Sequence, residues 1–203
     1  MDPNNATGSG AYVGVLNPTG TTYFDSGTPE GENAALLYTD GAAGGNPYGI
    51  EQQLTATLTA DTSYTLSVQV GNIASGTGLV APYSGFGFYN LDGFPGYRVE
   101  LWAGNSLLAA DENNLPLLPD AEGQFMLASL TYNSQATDPI GQPLLIRLIN
   151  PNAPDVAGVT GLEVDYNDVR LDASPISVPL PGSLWLLLAG LPGLGVLRSR
   201  FHG

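Results

Sequence analysis

Between Tyr64 and Val70 the chain alternates without a break: Tyr64, Leu66, Val68 and Val70 are apolar, and Thr65, Ser67 and Gln69 between them are polar. A period of two over seven residues fits only a β-strand with one buried face, because a helix would scatter those four side chains around its axis. Ala60-Asp61-Thr62 turns into this strand and Gly71-Asn72 ends it. Other segments repeat the pattern more weakly. Gln53 to Leu58 places Leu54, Ala56 and Leu58 on one face, and Tyr97, Val99 and Leu101 alternate with Arg98, Glu100 and Trp102.

Further strands are expected at Ala11–Leu16, Glu32–Tyr38, Leu107–Ala110, Phe125–Tyr132, Pro143–Ile149 and Leu162–Leu171, separated by stretches rich in Gly, Pro, Asn and Asp. Residues 71–95 form a long aromatic loop. The 27 glycines and 16 prolines, with only 12% charged residues, suit this turn-rich arrangement. Short strands at about ten-residue spacing predict an all-β fold, a β-sandwich of the jelly-roll kind. No internal repeat is visible.

The last 26 residues differ from everything upstream. Val178-Pro179-Leu180-Pro181 precedes a charge-free apolar run, Leu184–Leu197, and Arg198-Ser199-Arg200 closes it. As a helix, the 15 residues from Ser183 to Leu197 extend about 22 Å, short of a hydrocarbon core of about 30 Å. Pro192 and the glycines at 190, 193 and 195 weaken that helix further. Trp185 suits one membrane interface and the arginines the other. The organisation read from the sequence is an irregular segment over 1–28, a β-sandwich over 29–173, a linker over 174–177 and a C-terminal apolar helix within 178–203.

The net charge of −14, with only five basic residues, argues against nucleic acid as a partner, and the absence of lysine removes Schiff-base chemistry and a P-loop lysine. Cysteine is absent and His202, the single histidine, lies in the tail. A Ser-His-Asp triad, a cysteine nucleophile and the usual zinc sites are therefore excluded from the domain. A carboxylate pair is what remains for catalysis, and among 19 acidic residues nothing in the sequence marks one out. The expectation is a chain that is not an enzyme.

The tail resembles the PEP-CTERM sorting signal of Gram-negative bacteria, carried by Val178, Pro179, Leu180, Pro181, Gly190, Gly193, Arg198 and Arg200, with Leu180 where that family has glutamate. The resemblance implies export, an exosortase as partner of the tail, transient residence in the inner membrane, and delivery to the cell surface or extracellular matrix. The domain is similar to galactose-binding-like jelly rolls, through Gly49–Leu54, Tyr64–Val68, Tyr97–Leu101 and Val164–Leu171 among others.

Together these resemblances imply a structural or adhesive matrix protein linked to exopolysaccharide and biofilm. The alternative is a carbohydrate-binding module for exopolysaccharide, and a glycoside-active enzyme stands third. Sugar rings would stack on Tyr83, Phe86, Phe88, Tyr89, Phe94 and Trp102. No cofactor is required by either reading; a structural calcium is implied by the resemblance, with Asp168 as its last-strand ligand. The family's signal peptide and first strand are not visible, so the sequence is read as N-terminally incomplete.

Overall fold

The computed structural model describes residues 11–39, 46–79, 83–85, 87–115, 121–155 and 157–176. The expected apolar helix and the sorting-signal residues from Val178 to Arg200 lie outside the described residues. So does Phe86. Among the described residues no helix is long and apolar enough to cross a membrane.

Among the described residues eleven strands follow one another: β1 (Ala11–Leu16), β2 (Ala34–Thr39), β3 (Tyr48–Thr57), β4 (Thr62–Asn72), β5 (Gly76–Thr77), β6 (Phe88–Tyr89), β7 (Arg98–Ala103), β8 (Ser106–Glu112), β9 (Gln124–Asn133), β10 (Pro143–Asn150) and β11 (Glu163–Pro175). A 3-10 turn at Tyr83–Gly85 precedes β6. The strands form a five-stranded sheet of order β1-β2-β11-β4-β9 and a four-stranded sheet of order β3-β10-β7-β8, with β5 and β6 as a separate small pair. The fold is all-β.

The two large sheets share one core. The alternation from Tyr64 to Val70 buries one face of β4, and Leu66, Val68 and Val70 are fully enclosed. They pack with Leu37 of β2, Val164 and Tyr166 of β11 and Leu130 of β9. The four-stranded sheet supplies Val99 and Leu101 of β7 and Leu144, Ile146 and Leu148 of β10 to the same cluster. Asn150, wholly buried, ties the layers together: its amide donates to the carbonyls of Leu37 (2.9 Å) and Leu162 (3.1 Å), and its Oδ1 accepts from Asn152 N–H (2.8 Å). Tyr166 adds a bond from its hydroxyl to the Ile149 carbonyl, 2.7 Å.

β3 departs from expectation. It is an edge strand, so Leu54 is half-buried and Ala56 exposed, although both lie in the alternation that predicts a covered face. β11 carries a bulge between Asn167 and Arg170, where Asp168 takes a φ of 48°. Asn167 fastens the loop leading into β2. Its amide donates to the carbonyls of Glu30 (3.0 Å) and Asn33 (2.8 Å), and its Oδ1 accepts from Glu30 N–H (2.8 Å).

Candidate active site

β11 has two faces. Val164 and Tyr166 point into the shared core, so Glu163, Asp165 and Asn167 point the other way, onto the outer face of the five-stranded sheet. An outer face ordinarily meets water, yet Glu163 is only 7% exposed and Asp165 0%. They are buried because the chain builds a roof over that face. Leu16, Tyr23, Phe24 and Ile73 form a second apolar cluster with Leu36, Leu91 and Phe125, and the Phe24 and Phe125 rings stack at 4.4 Å.

Backbone bonds hold the roof down. Ala74 N–H donates to the Tyr23 carbonyl (3.0 Å), Asp25 N–H to that of Gly123 (2.9 Å), and Gly123 N–H to that of Asn72 (2.8 Å). Two glycines make the approach close enough. A Cβ on Gly76 would sit 2.1 Å from Thr22 Oγ1, and one on Gly71 would sit 2.7 Å from the Phe125 ring. Asp165 lies beneath this cover, with Leu36 of β2 and Gly71 of β4 as its cross-strand neighbours.

Beside the roof a cavity of about 530 Å³ opens between β1, β2 and the 89–91 segment. Its walls are apolar and aromatic: Leu36, Ile73 and Leu91 with four tyrosines, Tyr12, Tyr23, Tyr38 and Tyr89. Tyr12 and Tyr38 are register partners across β1 and β2, their rings 5.7 Å apart and tilted at 44°. Glu163, the register partner of Tyr38 on β11, is the one ionisable carboxyl among the described residues that line this space.

The two acids face the same problem. Among the described residues no donor reaches either oxygen of Asp165 or Oε1 of Glu163. The groups are close enough to bond one another, but two carboxylates are both acceptors, so that bond exists only when a proton sits between them. Burial pushes the Glu163 carboxyl up to about 7, and the bond to Asp165 moderates the rise. Burial also lifts Asp165 well above the usual carboxylate range, and the neighbouring Glu163 charge and bond lift it further. A carboxylic acid kept protonated near neutrality at an apolar cavity is a group that can give a proton to a bound molecule.

The residues expected to bind sugar do not converge. Phe94 is 7% exposed and belongs to the core. Phe88 and Tyr89 are exposed on β6, and Tyr89 lines the cavity. Trp102 lies across the molecule on the outer face of the four-stranded sheet. There its indole N–H donates to Glu100 Oε2 at 2.6 Å, and the Arg147 guanidinium covers its ring at 4.5 Å. Tyr83 begins the 3-10 turn. Asp168 accepts from the Arg170 guanidinium, and among the described residues no group of three or more histidine or acidic side chains is placed to hold a metal ion.

Glu163 and Asp165 were not distinguishable in the sequence from the other acids. The signal available was their spacing: two carboxyls at i and i+2 share one face of a strand whose intervening residues are apolar.

Known proteins point the same way as the cavity. A family model described as HpiC1 cyclase, HpiC1-like, matches residues 4–172. A crystal structure of a Stig cyclase, Fisc, from Fischerella sp. TAU in complex with (3Z)-3-(1-methyl-2-pyrrolidinylidene)-3H-indole is 38% identical. That match covers 82% of this chain and 76% of that one, with a TM-score of 0.63. A cyclase from Fischerella sp. TAU in complex with 4-(1H-indol-3-yl)butan-2-one is also 38% identical, over 84% and 77% of the two chains, with a TM-score of 0.64. The apo form of a cyclase from Fischerella sp. is 35% identical over 84% and 76%, TM-score 0.64. A search of curated proteins gave no match.

These matches correct the functional expectations. A match to a cyclase model over residues 4–172 overturns the PEP-CTERM and galactose-binding-like assignment and with it the non-catalytic matrix or adhesive role. It also overturns the carbohydrate-binding alternative, the glycoside-active third reading, and the exosortase, transient-membrane and exopolysaccharide partners. Jelly-roll-like strand patterns recur in proteins of many activities, which is why that resemblance misled.

Proposed function

We propose, on the premise that this chain belongs to the HpiC1-like cyclase family, that it closes a ring in an aromatic nitrogen heterocycle of indole type bound in the cavity beside Glu163. The observation that carries the reading is the buried Glu163–Asp165 pair, in which both oxygens of Asp165 and Oε1 of Glu163 meet no donor among the described residues, with Glu163 at the wall of an apolar, tyrosine-lined space. Two similar cyclases hold indole ligands, which fit such walls in shape and polarity.

Ring closure of this kind is an isomerisation. The acid pair gives a proton to a basic atom or alkene of the substrate, and a π-nucleophile within the same molecule attacks the cation, forming the ring bond. The ring cation then returns a proton to the pair, so nothing is gained or lost overall. The faces of Tyr12, Tyr23, Tyr38 and Tyr89 stabilise the passing positive charge, and the apolar roof keeps water from capturing it.

The finer fold class belongs with this reading. Strands β2, β4, β9 and β11 lie in one sheet while β3, β7, β8 and β10 lie in the other, so the chain crosses repeatedly between layers. That supports a jelly roll.

The test is a panel of indoles bearing an unsaturated side chain, incubated with the protein and analysed for a product of unchanged mass and new retention time. Wild type forms it, and the double variant Glu163→Gln/Asp165→Asn loses at least about 100-fold in rate. Undiminished turnover in the double variant contradicts the proposal.

A further inference from the structure

We infer that the two carboxyls divide the work: Glu163 is the group that meets the substrate, and Asp165 is a positioning residue whose O–H bonds to the Glu163 carboxylate as that carboxylate forms. The inference rests on the reading of the pair as the cyclase's acid and assigns a part to each member. Glu163 lines the cavity, whereas Asp165 is not among the lining residues and is wholly enclosed between Leu36 and Gly71 under the Phe24–Phe125 stack. No donor among the described residues reaches Asp165, so Glu163 is the partner its proton has.

The step balances. Starting from the doubly protonated pair, the Glu163 O–H bond breaks and the proton forms a bond to the substrate. The pair is left with one negative charge and the substrate with one positive charge. The remaining Asp165 proton then bridges the two carboxyls and stabilises the new anion, as a charge-assisted hydrogen bond does. When the ring has closed, the cation loses a proton to Glu163 and the pair is restored. The other titratable groups facing Glu163 are phenols: Tyr38 from β2, Tyr12 from β1, Tyr23 from the roof and Tyr89 from β6. No arginine is among the described lining residues, so no cation competes with the shared proton.

The experiment is an infrared titration of the carboxylic-acid C=O band in the full chain, without ligand, for wild type, Glu163→Gln, Asp165→Leu and Asp165→Asn. In wild type a band is lost with a midpoint near neutrality, and Glu163→Gln abolishes that midpoint. Asp165→Leu, which removes the donor, moves it up by roughly one pH unit or more. Asp165→Asn, whose amide N–H can donate to the Glu163 carboxylate, brings it back toward wild type. A merely structural Asp165 would leave the midpoint where it was. If Asp165→Asn abolishes the near-neutral midpoint while Glu163→Gln keeps it, the assignment is reversed and the inference falls. Should Asp165→Leu not fold, the Asn and Gln variants still decide between these outcomes. The titration needs no substrate, so the expected midpoints without any cyclisation would remove the functional reading and leave the proton-sharing pair standing.

Discussion

Replacing Glu163 by glutamine removes a carboxyl that the folded protein must keep protonated, and the consequence for stability has a definite sign. Burial raises this group from its ordinary 4.5 to about 7. The folded state therefore binds more protons than the unfolded chain between those two values, and the free energy of unfolding falls as pH rises through the window. The stabilising contribution is complete below pH 4.5 and lost by the time the pH has passed about 7. At ~1.4 kcal/mol per unit the loss is about 3 kcal/mol for Glu163 alone, and Asp165, raised in the same direction, extends it to higher pH. The assay is urea unfolding of wild type and Glu163→Gln at pH 4.5, 6, 7.5 and 9. The net charge of −14 makes both proteins less stable at high pH through general repulsion, so the informative quantity is the difference between them. The variant should gain on wild type by about 3 kcal/mol from the lowest to the highest pH. A difference that does not change with pH would refute the claim that this carboxyl is buried and protonated.

Other parts of the molecule make independent predictions. Gly71→Ala forces a Cβ to within 2.7 Å of the Phe125 ring; thermal unfolding should show a loss of about 1–3 kcal/mol, with a weakened roof over Asp165. Asn150→Ala breaks three hydrogen bonds at a fully buried position and should cost about 2–4 kcal/mol in urea unfolding. Tyr166→Phe, which loses the bond from the hydroxyl to the Ile149 carbonyl and the hydroxyl's contact with the Arg98 backbone, should cost about 1–2 kcal/mol in the same assay. Tyr38→Ala removes one wall of the cavity and the ring packed on Tyr12, so calorimetry with 4-(1H-indol-3-yl)butan-2-one should show roughly tenfold weaker binding.

Much of the framework was legible in the sequence, because a strand with one dry face writes that face as a period of two. β4 is the clearest instance, and β7, β9, β10 and β11 follow near their expected places. The sandwich could be read because nothing in 11–176 carries a helical period. The site could not be read the same way. Its essential feature is a face that alternation assigns to solvent and that the structure covers. Whether Glu163 and Asp165 are solvated or buried depends on Tyr23, Phe24, Ile73 and Leu91 folding back over them, contacts between segments far apart in the chain. Acid spacing at i and i+2 announces a shared face but not its dryness. The aromatics of 83–94 misled for a related reason. Phe94 fills the core while Tyr89 lines the cavity, and composition alone does not separate them. Trp102 faces away from its strand's apolar set, as the alternation of β7 implies, and its partners there are Glu100 and Arg147.

The most direct test of the cyclase site is a crystal structure of this chain with 4-(1H-indol-3-yl)butan-2-one. The indole ring is expected between Tyr12, Tyr38 and Tyr89, with a polar atom of the ligand hydrogen-bonded to the Glu163 carboxyl. Ligand seated instead on the outer face of the four-stranded sheet beside Trp102, with the tyrosine-lined cavity empty, would contradict it.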